Sequence, residues 1–311
     1  MSNGVRDIAA VLQWLSHFDS LASHVPPETD TEVEIWLYNL AGLRYVHLDL
    51  ARALQLHERA LAAAERVCGP RHELTLNVRD SLAGSYGYAG EHDRAIRLFE
   101  QNLADHVHTF GRRHPETFAA RAQLAGAMRR AGRLKDALRL AGRNAKNAER
   151  VWGADDATSV KAWSLQAEVL ADLAQQDPGR YAVQARDDIE KLLVRAVAAT
   201  GRDSDVSLGL RQMLALVRDG AGDHAGAVAM YEEYVESLTR GSGATDRFTL
   251  GARESFAALL WKSADDPDRA REVLLPLLAD WEHLLGPTAP QVQKLRQDFA
   301  PLLEPPPEDG K

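Results

Sequence analysis

The chain has 311 residues and a formal charge of −8, from 37 Lys and Arg against 45 Asp and Glu. A net acidic chain excludes a dedicated nucleic-acid binder, because such proteins need a basic surface. Its single cysteine excludes a disulfide framework or a cysteine-rich metal site, and no apolar run reaches the ~18 residues of a membrane span.

The N-terminal segment, residues 1–26, carries an apolar stripe typical of a helix. Its members are Val11, Leu12, Trp14, Leu15 and Phe18. We expect this helix either to cap the structure that follows or to form a homodimer contact. The segment has no basic leader before an apolar core, so we expect no signal peptide and a cytoplasmic location. The use of 30 Arg against 7 Lys indicates a GC-rich bacterial source.

The central part of the chain repeats itself with a period of 42 residues. Linker glycines mark the repeats at Gly69, Gly111, Gly153, Gly201 and Gly243. Counting from each glycine, position +6 is Thr or Ser and position +14 is Ala, while most repeats have a second Gly at +21 and an Ala at +26. This agreement predicts one structural unit that recurs along the chain.

The period divides residues 27–285 into six repeats and leaves a C-terminal segment. The repeats are 27–68, 69–110, 111–152, 153–200, 201–242 and 243–285. The 153–200 repeat has six inserted residues within 175–182, and the 243–285 repeat has one extra residue within 265–268. We expect a capping helix in 286–303 and a disordered polar tail over 304–311.

Each repeat is predicted to form two helices. In the 111–152 repeat, apolar residues recur with helical spacing over 116–130 and again over 134–148. Gly132 lies between these segments and favours the positive φ of a helix end. A single pair cannot bury its apolar face, so stacked neighbours must complete the core. No segment alternates like a strand, and the predicted fold class is therefore all-α.

Several of these positions resemble tetratricopeptide repeats: Leu-Ala at +13 and +14, an aromatic or long aliphatic residue at +17, and the turn glycine followed by alanine. The period and the linker G-x-x-H-x-x-T, found at Gly69–Thr75 and Gly111–Thr117, are similar to the kinesin-light-chain type. The resemblance implies a right-handed α–α superhelix, a TPR solenoid of about six helix pairs with capping helices. It also implies a concave groove lined by the first helix of each repeat. The 153–200 repeat departs from the pattern, with Gln166 for leucine and Ala174 for the turn glycine.

No motif predicts catalysis or cofactor binding. The patterns G-x-x-x-x-G-K-[ST], G-x-S-x-G and H-E-x-x-H are absent. His72 and His114 recur at one linker position, which favours a structural role over metal ligation. Cys68 ends a second helix and is expected to pack rather than to react. We therefore predict no enzyme activity, no cofactor and no metal.

Residues 112–150 form a basic band within the acidic chain. They include eleven basic and three acidic residues, a formal charge of +8, which leaves −16 for the rest. We predict that Arg129 and Arg130 border the groove, whereas Arg139 and Arg143 belong to a stripe on the outer helix. Arginine binds carboxylates bidentately, so an acidic peptide or a peptide C-terminus would suit the groove arginines. Solvated faces with salt bridges to neighbouring repeats are the alternative for both sets.

The predicted partner-binding residues lie at first-helix positions that face the groove in the resembled family, together with one arginine at +10. They are Asn39, Asn77, Asp80, Tyr88, Arg121, Gln123, Arg129, Arg130 and Lys161. Amides suit an extended backbone and aromatic rings suit apolar side chains. The arginines at +10 favour a structural ladder between repeats instead. They are Arg79, Arg121, Arg211 and Arg253, with Trp163 in the 153–200 repeat.

Three function classes remain open at this stage. The leading hypothesis is a non-catalytic scaffold that binds a protein or peptide segment, acidic or carboxylate-bearing, with no nucleic-acid or membrane partner. The second is a regulatory sensor that binds a signal peptide or a small acidic ligand and changes curvature. The third is an atypical helical-repeat enzyme.

A separate structural expectation concerns Pro276, which should kink or end its helix near Leu275.

Overall fold

The computed structural model describes Pro26 and residues 30–303, and these residues form 14 α-helices and no β-strand. The helices are α1 (Glu32–Tyr45), α2 (Leu50–Val67), α3 (Glu73–Tyr88), α4 (His92–Phe110), α5 (Pro115–Arg130), α6 (Leu134–Trp152), α7 (Ala157–Gln176), α8 (Pro178–Thr200), α9 (Asp205–Gly220), α10 (His224–Ser242), α11 (Arg247–Lys262), α12 (Pro267–Leu285), α13 (Pro290–Asp298) and α14 (Ala300–Leu303). The all-α prediction is confirmed. No helix within this described part is long and apolar enough to cross a membrane.

The first twelve helices follow one another as consecutive pairs joined by short turns, and one pair falls inside each predicted repeat. The repeat boundaries themselves stay a prediction. Contacts between Cα atoms divide the chain into two compact units, residues 1–144 and 145–311, and α6 runs across the division. We call them the N-terminal unit and the C-terminal unit. The predicted N-terminal stripe and the predicted tail lie outside the described residues.

The linker before each pair is shaped by a glycine and by a side chain that caps the next helix. Gly111 has a φ of 86°, in the region that favours glycine. Three residues later, His114 Nδ1 accepts a hydrogen bond from the backbone N of Glu116 at 3.3 Å and so caps α5. His72 caps α3 in the same way, as the structural reading of these histidines predicts. Asp156, Ser204 and Asp246 fill this position in the C-terminal unit.

In the 153–200 repeat, the insertion lengthens the helices rather than the turn. Ala174 stands where other repeats have the turn glycine, and α7 continues through it to Gln176. Helices α7 and α8 have 20 and 23 residues, against 16 and 19 for α5 and α6. Asp177 alone joins α7 to α8, and its side chain accepts from the backbone N of Arg180 at 3.2 Å. The inserted residues therefore add helical length within the C-terminal unit.

The core alternates small and large side chains. Alanines at +14 and +26, such as Ala83 and Ala95, are buried and let the two helices of a pair approach closely. In the C-terminal unit, Trp281 on α12 belongs to one buried cluster with Phe299 and Leu302. Helices α13 and α14 therefore complete that core, in the segment where the sequence predicts a capping helix.

Two kinds of side chain bind the carbonyl groups of the preceding linker. In three repeats the hydroxyl at +6, from Thr75, Thr117 or Ser207, donates to the glycine carbonyl at 2.7 to 2.8 Å. The hydroxyls of Ser159 and Thr249 are buried without a hydrogen-bond partner among the described residues. The arginine at +10 donates to the carbonyl at +1, over distances between 2.7 and 3.3 Å. These contacts join Arg79 to Pro70, Arg121 to Arg112, Arg211 to Arg202 and Arg253 to Ala244. We call the second contact the arginine latch, and it supports the structural reading of the +10 arginines.

Three of the four latch arginines form ion pairs with carboxylates. The Arg79 side chain is fully buried and pairs with Glu65 at 3.0 Å and with Asp105 at 2.8 Å. The other two pairs are Arg211 with Glu233 and Arg253 with Asp280. Arg121 has no carboxylate partner in the described part of the chain, and its Nη1 is buried without a hydrogen bond. Burial and the charge of Arg112 lower the pKa of Arg121.

In the 153–200 repeat, the donor to the linker carbonyl is an arginine from a different helix. Trp163 occupies position +10 there, and its Nε1 donates to Glu149 Oε2 at 2.9 Å. Arg195 on α8 donates instead to the carbonyl of Ala154, which is the +1 residue of this repeat. Glu149 and Asp155 lie 3.9 and 3.8 Å from the Arg195 guanidinium. The linker carbonyl therefore keeps its guanidinium donor although the expected arginine is missing.

Of the two outcomes expected at Pro276, a kink or a helix end near Leu275, the helix end does not occur. Helix α12 continues through Pro276 to Leu285. Pro276 and Glu272 are both exposed, so water can bind the Glu272 carbonyl, which loses its usual partner at Pro276. Leu274 and Leu277 are fully buried on either side, and their packing holds the helix together across the proline.

The latches differ in their expected contribution to stability. Arg79→Ala should lower the free energy of unfolding by about 3 kcal/mol, because it leaves a linker carbonyl without its donor and leaves Asp105 with only its longer ion pair to Arg71, at 3.3 Å. Arg121→Ala should cost only about 1 kcal/mol, because no carboxylate loses a partner. Urea unfolding followed by circular dichroism measures both variants. Equal losses would contradict the importance that we assign to the carboxylates.

Candidate functional site

Three first helices of the N-terminal unit carry a glycine at position +15. Gly42, Gly84 and Gly126 lie inside α1, α3 and α5, where glycine costs about 1 kcal/mol relative to alanine. At Gly42 the reason is internal, because an added Cβ would lie 2.4 Å from His57 Nε2. No atom lies within 4 Å of a Cβ added at Gly84, and at Gly126 the only contact is Arg130 Nη1 at 3.7 Å. The last two glycines therefore have no packing reason among the described residues.

Gly84 lies in the wall of a cavity of about 320 Å³ in the N-terminal unit. The lining residues are Leu43, Val46, His47, Asp80, Ser81, Gly84, Ser85, Tyr88 and Gln123. Three of the predicted partner-binding residues, Asp80, Tyr88 and Gln123, are thus brought together from α3 and α5. We refer to this cavity, together with Gly87, Gly126 and Arg130, as the glycine groove.

Asp80 is the acidic group of the cavity. Asn102 Nδ2 donates to Asp80 Oδ1 at 2.6 Å and to the carbonyl of Leu76 at 3.1 Å. Burial nevertheless raises the pKa of Asp80. No cation forms an ion pair with Asp80 within the described residues, because the guanidinium of neighbouring Arg79 binds Glu65 and Asp105. The cavity therefore contains a largely buried carboxyl group that has no ion-pair partner in the part of the chain that the structure describes.

Tyr88 provides an open aromatic surface at the cavity. Tyr88 is 67% exposed, an unusually high fraction for a tyrosine. The ring of His47 meets it edge-on, with 5.4 Å between the ring centroids and 80° between the planes. One face of the Tyr88 ring is thus available for stacking or for a cation.

The two serine hydroxyls of the cavity are used inside the protein. Ser81 Oγ donates to the carbonyl of Asn77 at 3.1 Å. Ser85 Oγ lies 2.9 Å from His57 Nδ1, and His57 Nε2 lies 3.2 Å from the carbonyl of Asn39. A carbonyl only accepts, so Nε2 carries the proton and Ser85 donates to Nδ1. Burial lowers the pKa of His57, and Ser85 is 1% exposed, so the pair belongs to the packing and not to an accessible nucleophile.

Arg130 extends across the glycines. Its Nε lies 3.7 Å from a Cβ added at Gly87, and its Nη1 lies 3.7 Å from a Cβ added at Gly126. The residue is exposed and forms no hydrogen bond or ion pair with any residue that the structure describes. Larger residues at 87 or 126 would push the guanidinium away from the helix surface. The glycines therefore create the space in which an unpaired arginine lies.

The remaining predicted residues lie outside the glycine groove. Asn77 lines a second cavity of about 490 Å³, together with His106, Phe110 and His114. The Oδ1 of Asn39 is buried without a hydrogen bond partner. Within the described residues, no group of three or more His, Cys, Asp or Glu side chains is arranged to hold a metal ion.

The three other predicted cations have separate environments. Arg121 belongs to the latch, and its Nη2 donates to the carbonyl of Arg112 at 2.9 Å. Arg129 is half-buried and is not a lining residue of the cavity, while Lys161 is exposed on α7 in the C-terminal unit. Among the predicted groove arginines, only Arg130 lies at the glycines.

Sequence reasoning missed the glycines although the signal was present. Gly42, Gly84 and Gly126 are spaced by one repeat period and stand inside predicted helices, where a glycine without a cap needs an explanation. His47 gave no such signal, because it lies in the turn between α1 and α2 and reaches Tyr88 only through tertiary packing.

Residues 32–105 match the family model described as tetratricopeptide repeat. A kinesin-light-chain-type protein of Podospora anserina with nearly identical TPR-like repeats is similar in structure, with 17% identity, a TM-score of 0.56, and coverage of 68% of this chain and 98% of that chain. BtubC (BKLC) from P. vanneervenii is 15% identical, with a TM-score of 0.60, and covers 85% of this chain and 96% of its own.

A Rap protein complexed with Competence and Sporulation Factor is 13% identical, with a TM-score of 0.53, over 92% of this chain and 80% of that chain. Identities this low establish the fold alone. No curated protein sequence matches the chain.

Gly42 and Gly84 occupy the same repeat position, and replacing each with alanine should have opposite effects on stability. Gly84→Ala should raise the free energy of unfolding by about 0.5–1 kcal/mol, because the site is open and alanine favours the helix. Gly42→Ala should lower it by about 1–3 kcal/mol, because the new Cβ collides with His57. Thermal and urea unfolding of the two variants check this contrast, and a loss of stability in Gly84→Ala would show that the site is filled.

Proposed function

We propose that this tetratricopeptide-repeat protein is a non-catalytic scaffold whose glycine groove binds an extended peptide or protein segment through one of its carboxylates. The fold alone supports a binding module, since consecutive helix pairs expose long surfaces made from successive first helices. The groove supports the choice of site, because it combines a cavity, an open aromatic ring and an unpaired cation. No other predicted set of partner-binding residues comes together within the described chain.

Arg130 is the observation that carries this proposal. An arginine that pairs with no acid among the described residues and lies over two glycines can present its guanidinium to a carboxylate. The absence of side chains at Gly87 and Gly126 leaves room for the incoming group beside it. A charge held only for solubility would not need a helix-interior glycine such as Gly126 beneath it, at a cost of about 1 kcal/mol.

The size of the cavity favours a peptide side chain over a cofactor. About 320 Å³ lies at the lower end of the range for ligand pockets, and the lining is mixed in polarity. Exposed Gln123 beside it offers an amide that can both donate to and accept from a peptide backbone. These features suit a segment that inserts one side chain and lies along the neighbouring helix surfaces.

Reversing the charge of Arg130 should remove the carboxylate site. Dodecapeptides selected from a random display library against the full chain serve as the probe, with affinities measured by fluorescence polarisation. We expect enriched peptides to contain Asp, Glu or a free C-terminal carboxylate, and Arg130→Glu to weaken them about tenfold or more. Arg97→Glu is the matched control, because Arg97 is exposed on α4 away from the groove. Failure to enrich any peptide, or equal binding by Arg130→Glu, would show that the proposal is wrong.

Replacing Gly84 with alanine should change peptide affinity and protein stability in opposite directions. Gly84→Ala adds a methyl group to the cavity wall and should weaken the same peptides several-fold, by about 1 kcal/mol, although it stabilises the free protein. A loss of affinity in a more stable protein cannot come from unfolding. Unchanged affinity would place the ligand elsewhere on the chain.

A further inference from the structure

We infer that the cavity of the glycine groove is a subsite for a basic side chain, Lys or Arg, of the bound segment, with Asp80 as its counter-ion. This inference rests on the proposed function, and it goes against the simple expectation of an acidic ligand. The segment would then carry both signs of charge, a cation for Asp80 and a carboxylate for Arg130.

The first argument is that Asp80 is the unsatisfied charge of the cavity. Its Oδ1 accepts from Asn102 at 2.6 Å, a neutral donor, and no Lys or Arg of the described chain pairs with it. The nearest arginine in sequence, Arg79, has both Nη atoms engaged by Glu65, Asp105 and the Pro70 carbonyl. A largely buried carboxylate without a cation is costly, and an incoming ammonium or guanidinium group would relieve that cost.

The second argument is the chemistry of the wall. The side chains of Leu43 and Val46 offer an aliphatic surface for the methylene stem of a long basic residue. Tyr88 exposes a ring face at the same cavity, which favours a cation within about 6 Å of its centroid. Ser81 and Ser85 already donate to Asn77 and His57, so neither hydroxyl competes for the ligand.

The third argument is the spacing of the two charges. Asp80 and Gly87 are seven residues apart on α3, which corresponds to about 10 Å along the helix axis. Arg130 Nε lies against Gly87. An extended peptide advances about 3.3 Å per residue, so its basic and acidic residues should be separated by about three positions. This separation is a specific property to look for in selected peptides.

The charges around Asp80 predict how binding depends on pH. Burial is the largest influence on the pKa of Asp80 and raises it, and Glu116 on α5 raises it further. The hydrogen bond from Asn102 and the charges of His106 on α4 and Arg79 on its own helix lower it. His47 faces the same cavity. A ligand cation needs the ionised carboxylate, so binding should weaken as the pH falls through the raised pKa of Asp80.

The experiment is a double-mutant cycle on the selected dodecapeptides. Each Lys is replaced by norleucine and each Arg by citrulline, and every peptide is titrated against the wild-type chain and Asp80→Asn. We expect one replacement to weaken wild-type binding about tenfold and to have little effect on Asp80→Asn. Asp80→Asn should also lose the weakening at low pH. Because this variant keeps His47, a pH dependence that persists in it would contradict the assignment.

Two further outcomes keep this inference separate from the proposed function. If Arg130→Glu weakens the peptides while Asp80→Asn leaves every affinity unchanged, the groove stands and the basic subsite is wrong. If neither variant changes binding, both are wrong. Tyr88→Leu provides a second variant in case Asp80→Asn unfolds, and it should weaken the basic peptides about threefold while sparing their norleucine or citrulline forms. Equal weakening of both forms would overturn the subsite.

Discussion

The contact on which this architecture depends is the hydrogen bond from a guanidinium to the first linker carbonyl after each glycine. A linker that turns sharply leaves backbone carbonyls outside any helix, and buried carbonyls need donors. The arginine at +10 supplies such a donor from the next helix in four repeats, and the hydroxyl at +6 adds a second donor in three of them, so these linkers are tied to the pair that follows. The 153–200 repeat shows that the donor matters more than its source, because Arg195 reaches the Ala154 carbonyl from α8 when Trp163 cannot.

The latches leave the opposite face of the first helices free for another use. In the N-terminal unit this face carries glycines, and the one at Gly42 is filled from within by His57. The equivalent space at Gly84 stays open beside Asp80 and Tyr88. The same repeat position is thus structural in one pair and part of a cavity in the next, which is how a repetitive framework produces a local binding site.

The basic band of the sequence is not a single surface. Arg121 is a latch, and Arg133 and Arg139 both pair with Asp136 on α6. Arg130 alone among these lies unpaired over the groove, next to an acidic cavity. The net charge of a segment therefore says little about its ligand, because its charges are divided among a latch, ion pairs with Asp136 and the glycine groove. The pairing pattern is more informative than the sum.

The sequence by itself determined the helix pairs, their turns and the linker histidines, because helical periodicity, glycine conformation and capping act within a few residues. It also placed Asp80, Tyr88 and Gln123 among the candidates from their repeat positions. Only the tertiary structure decided that these three share a cavity with His47, that Arg195 replaces an arginine at +10, and that α12 runs through Pro276. Each of these depends on which side chains meet across helices about 20 to 40 residues apart, and no local preference encodes that choice.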